Sequence, residues 1–154
     1  MAVPYMLYEL EEQISKELAN NTNFKAFCFD LLSSYCNIQI GEDYQNVEQN
    51  EYPMILVNAS KQSGEENINR KIEFSILLEV DNKLIVQDNY KTRPEVKRLE
   101  LIAREIYEIM RTKFCSDTPS YYFEKDISII EEKVARGSLE IVTTKNTTAG
   151  AKQW

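Results

Sequence analysis

The stretch Lys71 to Val80, KIEFSILLEV, constrains the fold more than any other part of the chain. Apolar residues stand at Ile72, Phe74, Ile76, Leu78 and Val80, and Lys71, Glu73, Ser75 and Glu79 lie between them, with Leu77 the one departure. Successive side chains of a strand point to opposite faces, so this alternation predicts a strand with one buried and one wetter face. The buried face needs a cover. A helix starting at Pro94 supplies one, because Leu99, Ile102, Ala103, Ile106, Ile109 and Met110 recur at helical spacing.

The flanking segments fit around that pair. Leu7, Leu10, Ile14 and Leu18 form one stripe of an amphipathic helix over Tyr5 to Ala19. Beyond the turn chemistry of Asn20 to Asn23, Phe24, Phe27, Cys28, Leu31, Leu32 and Tyr35 continue it as a second helix or as the first resumed after a kink. Asn37 to Ile40 suits a short strand. Pro53 to Asn58, PMILVN, is apolar on both faces and reads as an interior strand with proline at its start. Gly41 to Glu51 and Ser60 to Asn69 are polar and without period, which predicts two loops.

Asp81-Asn82 suits a tight hairpin turn into Leu84, Ile85 and Val86. Thr92-Arg93-Pro94-Glu95 reads as a capping box with proline in the first turn, and the helix is expected to end near Phe114. Alternation in DISIIEEKV and SLEIVTT, joined by Ala135-Arg136-Gly137, predicts a C-terminal hairpin. The resulting expectation is an α+β fold, a mainly antiparallel β-sheet with α-helices packed on one face. It forms a single domain over 1–144, and 145–154 form a mobile C-terminal tail.

Composition narrows the chemistry. With no histidine among 154 residues, Ser-His and Cys-His pairs and histidine metal sites are absent. Four glycines, at Gly41, Gly64, Gly137 and Gly150, assemble neither a phosphate loop nor a dinucleotide fingerprint. A net charge of −7 repels phosphate backbones and argues against tight nucleic-acid binding. Cys28, Cys36 and Cys115 are odd in number and lack CxxC spacing, which argues against a disulfide framework or zinc site, and Cys28 reads as a small core residue. The N-terminus has no basic region followed by an apolar run, so an intracellular protein with no membrane span is expected.

The sharpest enzymatic reading is a metal-dependent nuclease, with Glu131-Glu132-Lys133 after a strand and Asp81 or Asp126 completing a carboxylate pair. Solvated residues on a strand's outer face explain the same string more simply. Glu42, Asp43, Glu48 and Glu51 have the charge of a calcium loop but not its ligand spacing. Tyr121-Tyr122-Phe123 either anchors a partner or packs within a hairpin, and aromatic preference for strands favours the latter.

The leading helices, the strand EYPMILV, the strand KIEFSILLEV, the helix PEVKRLELIAREIYEIM and the C-terminal hairpin together resemble the tail-terminator (tail-completion) proteins of long-tailed phages, prophages and phage-tail-like particles. The resemblance implies a non-enzymatic virion protein without cofactor or metal, assembled in the bacterial cytoplasm. Such a protein is a homo-oligomeric ring, expected to be a hexamer, that ends tail-tube polymerisation and meets a neck connector or sheath, while DNA passes through the lumen without adhering. Interface residues are expected at Glu42, Asp43, Glu48, Lys61, Glu65, Glu66, Tyr121 and Tyr122. The alternatives are the small nuclease and a monomeric adaptor or immunity-type protein.

Overall fold

The alternating strand lies at the centre of the sheet in a computed structural model, which describes residues 6–41, 52–64, 67–80, 84–115, 118–128 and 133–146. The elements run α1 (Leu7–Asn20), α2 (Thr22–Leu32), β1 (Asn37–Ile40), β2 (Met54–Ser63), β3 (Asn67–Glu79), β4 (Ile85–Gln87), β5 (Tyr90–Thr92), α3 (Pro94–Lys113), β6 (Ser120–Ser128) and β7 (Val134–Asn146). The main sheet has the order β1-β2-β3-β7-β6, and β4 and β5 pair as a separate ribbon. All main-sheet pairs are antiparallel except β1 with β2, which is parallel.

Helices cover one face of this sheet, as the alternation requires. Ile72, Phe74, Ile76, Leu78 and Val80 are all buried in one core with Leu10, Ile14 and Leu18 of α1, Phe24 and Cys28 of α2, and Leu99, Ile102, Ala103, Ile106 and Met110 of α3. Leu77 points to the opposite face and joins Met54, Leu56 and Val134 in a smaller apolar cluster. The departure from alternation thus marks a second patch rather than a defect. Asn21 separates α1 from α2, its side-chain oxygen accepting from the Phe24 amide at 2.9 Å and capping α2, so the second of the two expected readings, one kinked helix, gives way to two helices.

Several expectations are corrected. Ser60 to Asn69 is no loop: β2 runs to Ser63 and β3 starts at Asn67. Ladder hydrogen bonds need no apolar side chains, so the strands continue past the core where the hydrophobic pattern stops. A bulge between Ala59 and Lys61 shifts the register, and Glu11 of α1 accepts the Ala59 amide at 3.0 Å. Beyond the bulge, Gln62 pairs with Arg70 on the helix side, where the buried Arg70 Nε donates to Gln62 Oε1 at 2.7 Å.

No hairpin joins β3 to Leu84–Val86. The second edge of β3 is taken by β7 along its whole length, and β4 turns instead through Asp88, at φ 43°, onto β5. Asp81 and Asn82 lie outside the described residues. Proline begins α3 as expected, but Arg93 is the N-cap and no side chain caps it. Thr92, paired with Ile85 in the ribbon, sits one residue too early for the capping box. Ala135-Arg136-Gly137 is part of β7, opposite Ile76 to Leu78 of β3, and so does not join the two strands; 129–132 lie outside the described residues. Strand β7 also takes in Lys145 and Asn146, two residues assigned to the tail, and 147–154 lie outside the described residues.

Candidate interaction surface

Strand β6 ends the sheet, so one of its edges has no strand beside it among the described residues. Its side chains divide by parity. Tyr121 and Phe123, opposite Ile141 and Leu139, share the helix-covered face, and Tyr122, opposite Glu140, is on the other. Phe123 is partly buried against the core, while Tyr121 and Tyr122 are 64% and 60% exposed. The preference for hairpin packing therefore fits Phe123 but not the two tyrosines.

An open groove of about 460 Å³ runs between α3 and β6. Ala103, Leu139 and Phe123 contribute apolar lining, with Tyr107 and Tyr121 beside them and Glu100, Arg104 and Glu108 adding charge. The two tyrosine rings pack at 5.1 Å between centroids with a tilt of 59°, and the Tyr107 hydroxyl donates to the Pro119 carbonyl at 2.9 Å, which fixes the start of β6 against the helix. Lys125 and Glu100 join β6 to α3 at 2.5 Å.

A second apolar surface sits on the β4–β5 ribbon. Leu84, Ile85, Val86 and Tyr90 are all exposed, Val86 by 68%. A two-stranded ribbon this short has little stability of its own, and its aliphatic residues held in water make it a candidate contact surface. The sequence predicts a strand here but pairs it with β3, and neither its pairing with β5 nor its exposure was foreseen. Tyr107 was missed as well, since its helical position resembles ordinary core spacing.

Of the residues expected at an interface, Tyr121 and Tyr122 are on the free edge strand, and Lys61 is an exposed strand residue of β2 paired with Lys71. Glu42, Asp43, Glu48, Glu65 and Glu66 lie outside the described residues, as do Glu51, Glu131 and Glu132, while Asp126 is on β6 opposite Arg136. The outer face carries an ionic cluster. Lys71 Nζ lies 3.4 Å from Glu73 Oε1 and 3.2 Å from Glu140 Oε1, and Asn58 Nδ2 donates to Glu73 at 3.1 Å. Hydrogen bonds that Lys71 donates to Glu140 first and Glu73 second raise its pKa above the ordinary lysine value. Among the described residues no three His, Cys, Asp or Glu side chains are grouped to hold a metal, and no helix is long and apolar enough to cross a membrane. No protein-family model matches the sequence, and no curated protein matches it either.

Proposed function

We propose that this chain is a ring-forming structural protein of a phage tail or phage-tail-like particle, a terminator that caps the tail tube and offers its other side to a neck connector or sheath. The observation that carries the oligomeric part is the presence of two unlike apolar surfaces on one chain: the Leu84–Val86 ribbon, and the Tyr107–Tyr121 groove beside the free edge of β6. Unlike surfaces that meet between copies make a heterologous contact, which closes into a ring when the rotation per copy divides a full turn. The resemblance in element order supports the terminator role. The net charge of −7 suits a lumen through which DNA slides without adhering.

The ribbon supplies an apolar projection and the groove a recess with an aromatic wall, so the ribbon of one copy seats in the groove of the next. Tail tube, connector and sheath proteins would then meet the faces of the ring. Native mass measurement tests the reading: a single discrete multiple of the chain mass, together with rings seen by electron microscopy on the ends of tail tubes, is the expected result. A strict monomer at high concentration that also fails to bind tube ends would sink it and favour the adaptor.

A further inference from the structure

Two thiols that sequence spacing separates are brought together between α2 and β1. Helix α2 stops at Leu32, Ser33 turns the chain through the left-handed region at φ 59°, and Cys36 comes back beside Cys28. Both line one cavity of about 270 Å³, along with Leu18, Phe24, Lys25 and Tyr35. Cys28 is 1% exposed and belongs to the core, whereas Cys36 is only partly buried. At the same cavity Lys25 Nζ stands 5.4 Å from the centre of the Tyr35 ring. Cys36 also packs against the core to which Cys28 belongs.

We propose that Cys28 and Cys36 form a dithiol modification site, which reacts with small oxidants of the peroxide class and closes to an intramolecular disulfide. Cys36 attacks first. Its thiolate sulfur forms a bond to one peroxide oxygen, the O–O bond breaks, and the departing hydroxide takes a proton to become water. The Cys28 sulfur then attacks the Cys36 sulfenic acid, forming the S–S bond, and the expelled hydroxide leaves as water with the Cys28 proton. Two thiols are oxidised and one peroxide is reduced to two waters.

The division of labour follows from the environment. The hydrogen bond from Cys28 lowers the Cys36 pKa against the opposing effect of burial, and the same contact, then burial, then the charges of Cys36 and Glu105 push the Cys28 thiol up. Cys36, the more exposed of the two, is thus the attacking group and Cys28 the buried resolving thiol. Closing the pair to a bond of about 2.05 Å asks the chain between them to adjust. Residues 33–36 belong to neither a helix nor a strand and can absorb it. The bond would staple α2 to the start of the edge strand β1.

The test uses the full reduced chain and hydrogen peroxide. Titration of thiols after denaturation should fall from the three cysteines of the sequence to one, peptide mapping should find Cys28 linked to Cys36, and the melting temperature should rise by about 5 °C. Cys36→Ser should abolish thiol loss under the same treatment, and Cys28→Ser should stop at a sulfenic acid on Cys36 that dimedone traps. Survival of all three thiols, a link through Cys115 or between chains, or over-oxidation of Cys36 with no link overturns the proposal. Because Cys36 is only partly buried at the rim of the core, its serine variant is expected to fold, and a thermal melt of the reduced variant checks this.

Discussion

Gly137 of β7 lies against the ring of Phe123 of β6: a Cβ added at Gly137 would stand 3.2 Å from Phe123 Cε1 and 3.3 Å from Leu99 Cδ2. The glycine is where α3 and the edge strand approach β7 together, and it lets Phe123 lean into the groove floor. A branched side chain there must push the phenyl ring or the helix outward. Gly137→Val is expected to lower stability by about 1–3 kcal/mol through overpacking. Urea melts would check it, and an unchanged midpoint would show that the strand and helix separate freely.

Phe74 and Glu73 are neighbours on β3 with opposite fates. Phe74 is fully buried beneath the helices, and Glu73 faces outward. Phe74→Ala should therefore cost about 3–5 kcal/mol through lost burial and the cavity left behind. Replacing Gln62 with alanine tests a different kind of burial, since it removes the acceptor of the Arg70 Nε hydrogen bond. The expected loss is about 1.5–3 kcal/mol, in the range for hydrogen bonds to charged groups. Chemical denaturation of the two variants beside the parent chain measures both.

These same residues show what is legible in the sequence. Burial of every second residue from Ile72 to Val80, and of the stripe Leu99 to Met110, could be read directly because side-chain period and secondary structure are coupled. The polar ends of β2 and β3 were opaque. Their strand geometry comes from backbone hydrogen bonds to β7 and to each other, which leave no mark on the side-chain pattern. The candidate surface was half legible: Tyr121 and Tyr122 stood out as aromatics after a turn, while the exposure of Leu84 to Val86 and the meeting of Cys28 with Cys36 depend on tertiary placement that no local pattern encodes.

Glu73 and Glu140 stand directly opposite each other on β3 and β7, and Lys71 bridges them. Replacing Lys71 with methionine leaves two facing carboxylates, so the variant should be less stable than the parent at low salt and the gap should narrow as salt rises. The pH dependence has a definite sign. A lysine whose folded pKa is raised contributes stability that is complete below the ordinary value of 10.5 and lost as pH rises through the higher folded value. The difference between parent and variant should therefore persist at about pH 8 and shrink above about pH 11, as thermal melts at both would show.

The strongest discrimination of the ring proposal comes from complementation between two variants. Val86→Lys places a charge on the ribbon and leaves the groove intact, while Tyr121→Lys places one in the groove and leaves the ribbon intact; both residues are exposed, so Val86→Lys should lower stability by no more than about 0.5 kcal/mol, and Tyr121→Lys by about 0.5–1.5 kcal/mol through the lost packing of its ring on Tyr107. Each variant alone should fail to form rings, because every joint in a homogeneous sample then contains one damaged surface. Mixed together, they still own one good ribbon and one good groove, on different chains. A single joint can form between them, and the remaining surfaces of that pair are both damaged, so growth stops at a heterodimer. Native mass spectrometry of the mixture should show that heterodimer and no higher species. If the contact were instead isologous, with each surface meeting its own copy, each variant alone would still dimerise through its undamaged surface and mixing would add nothing.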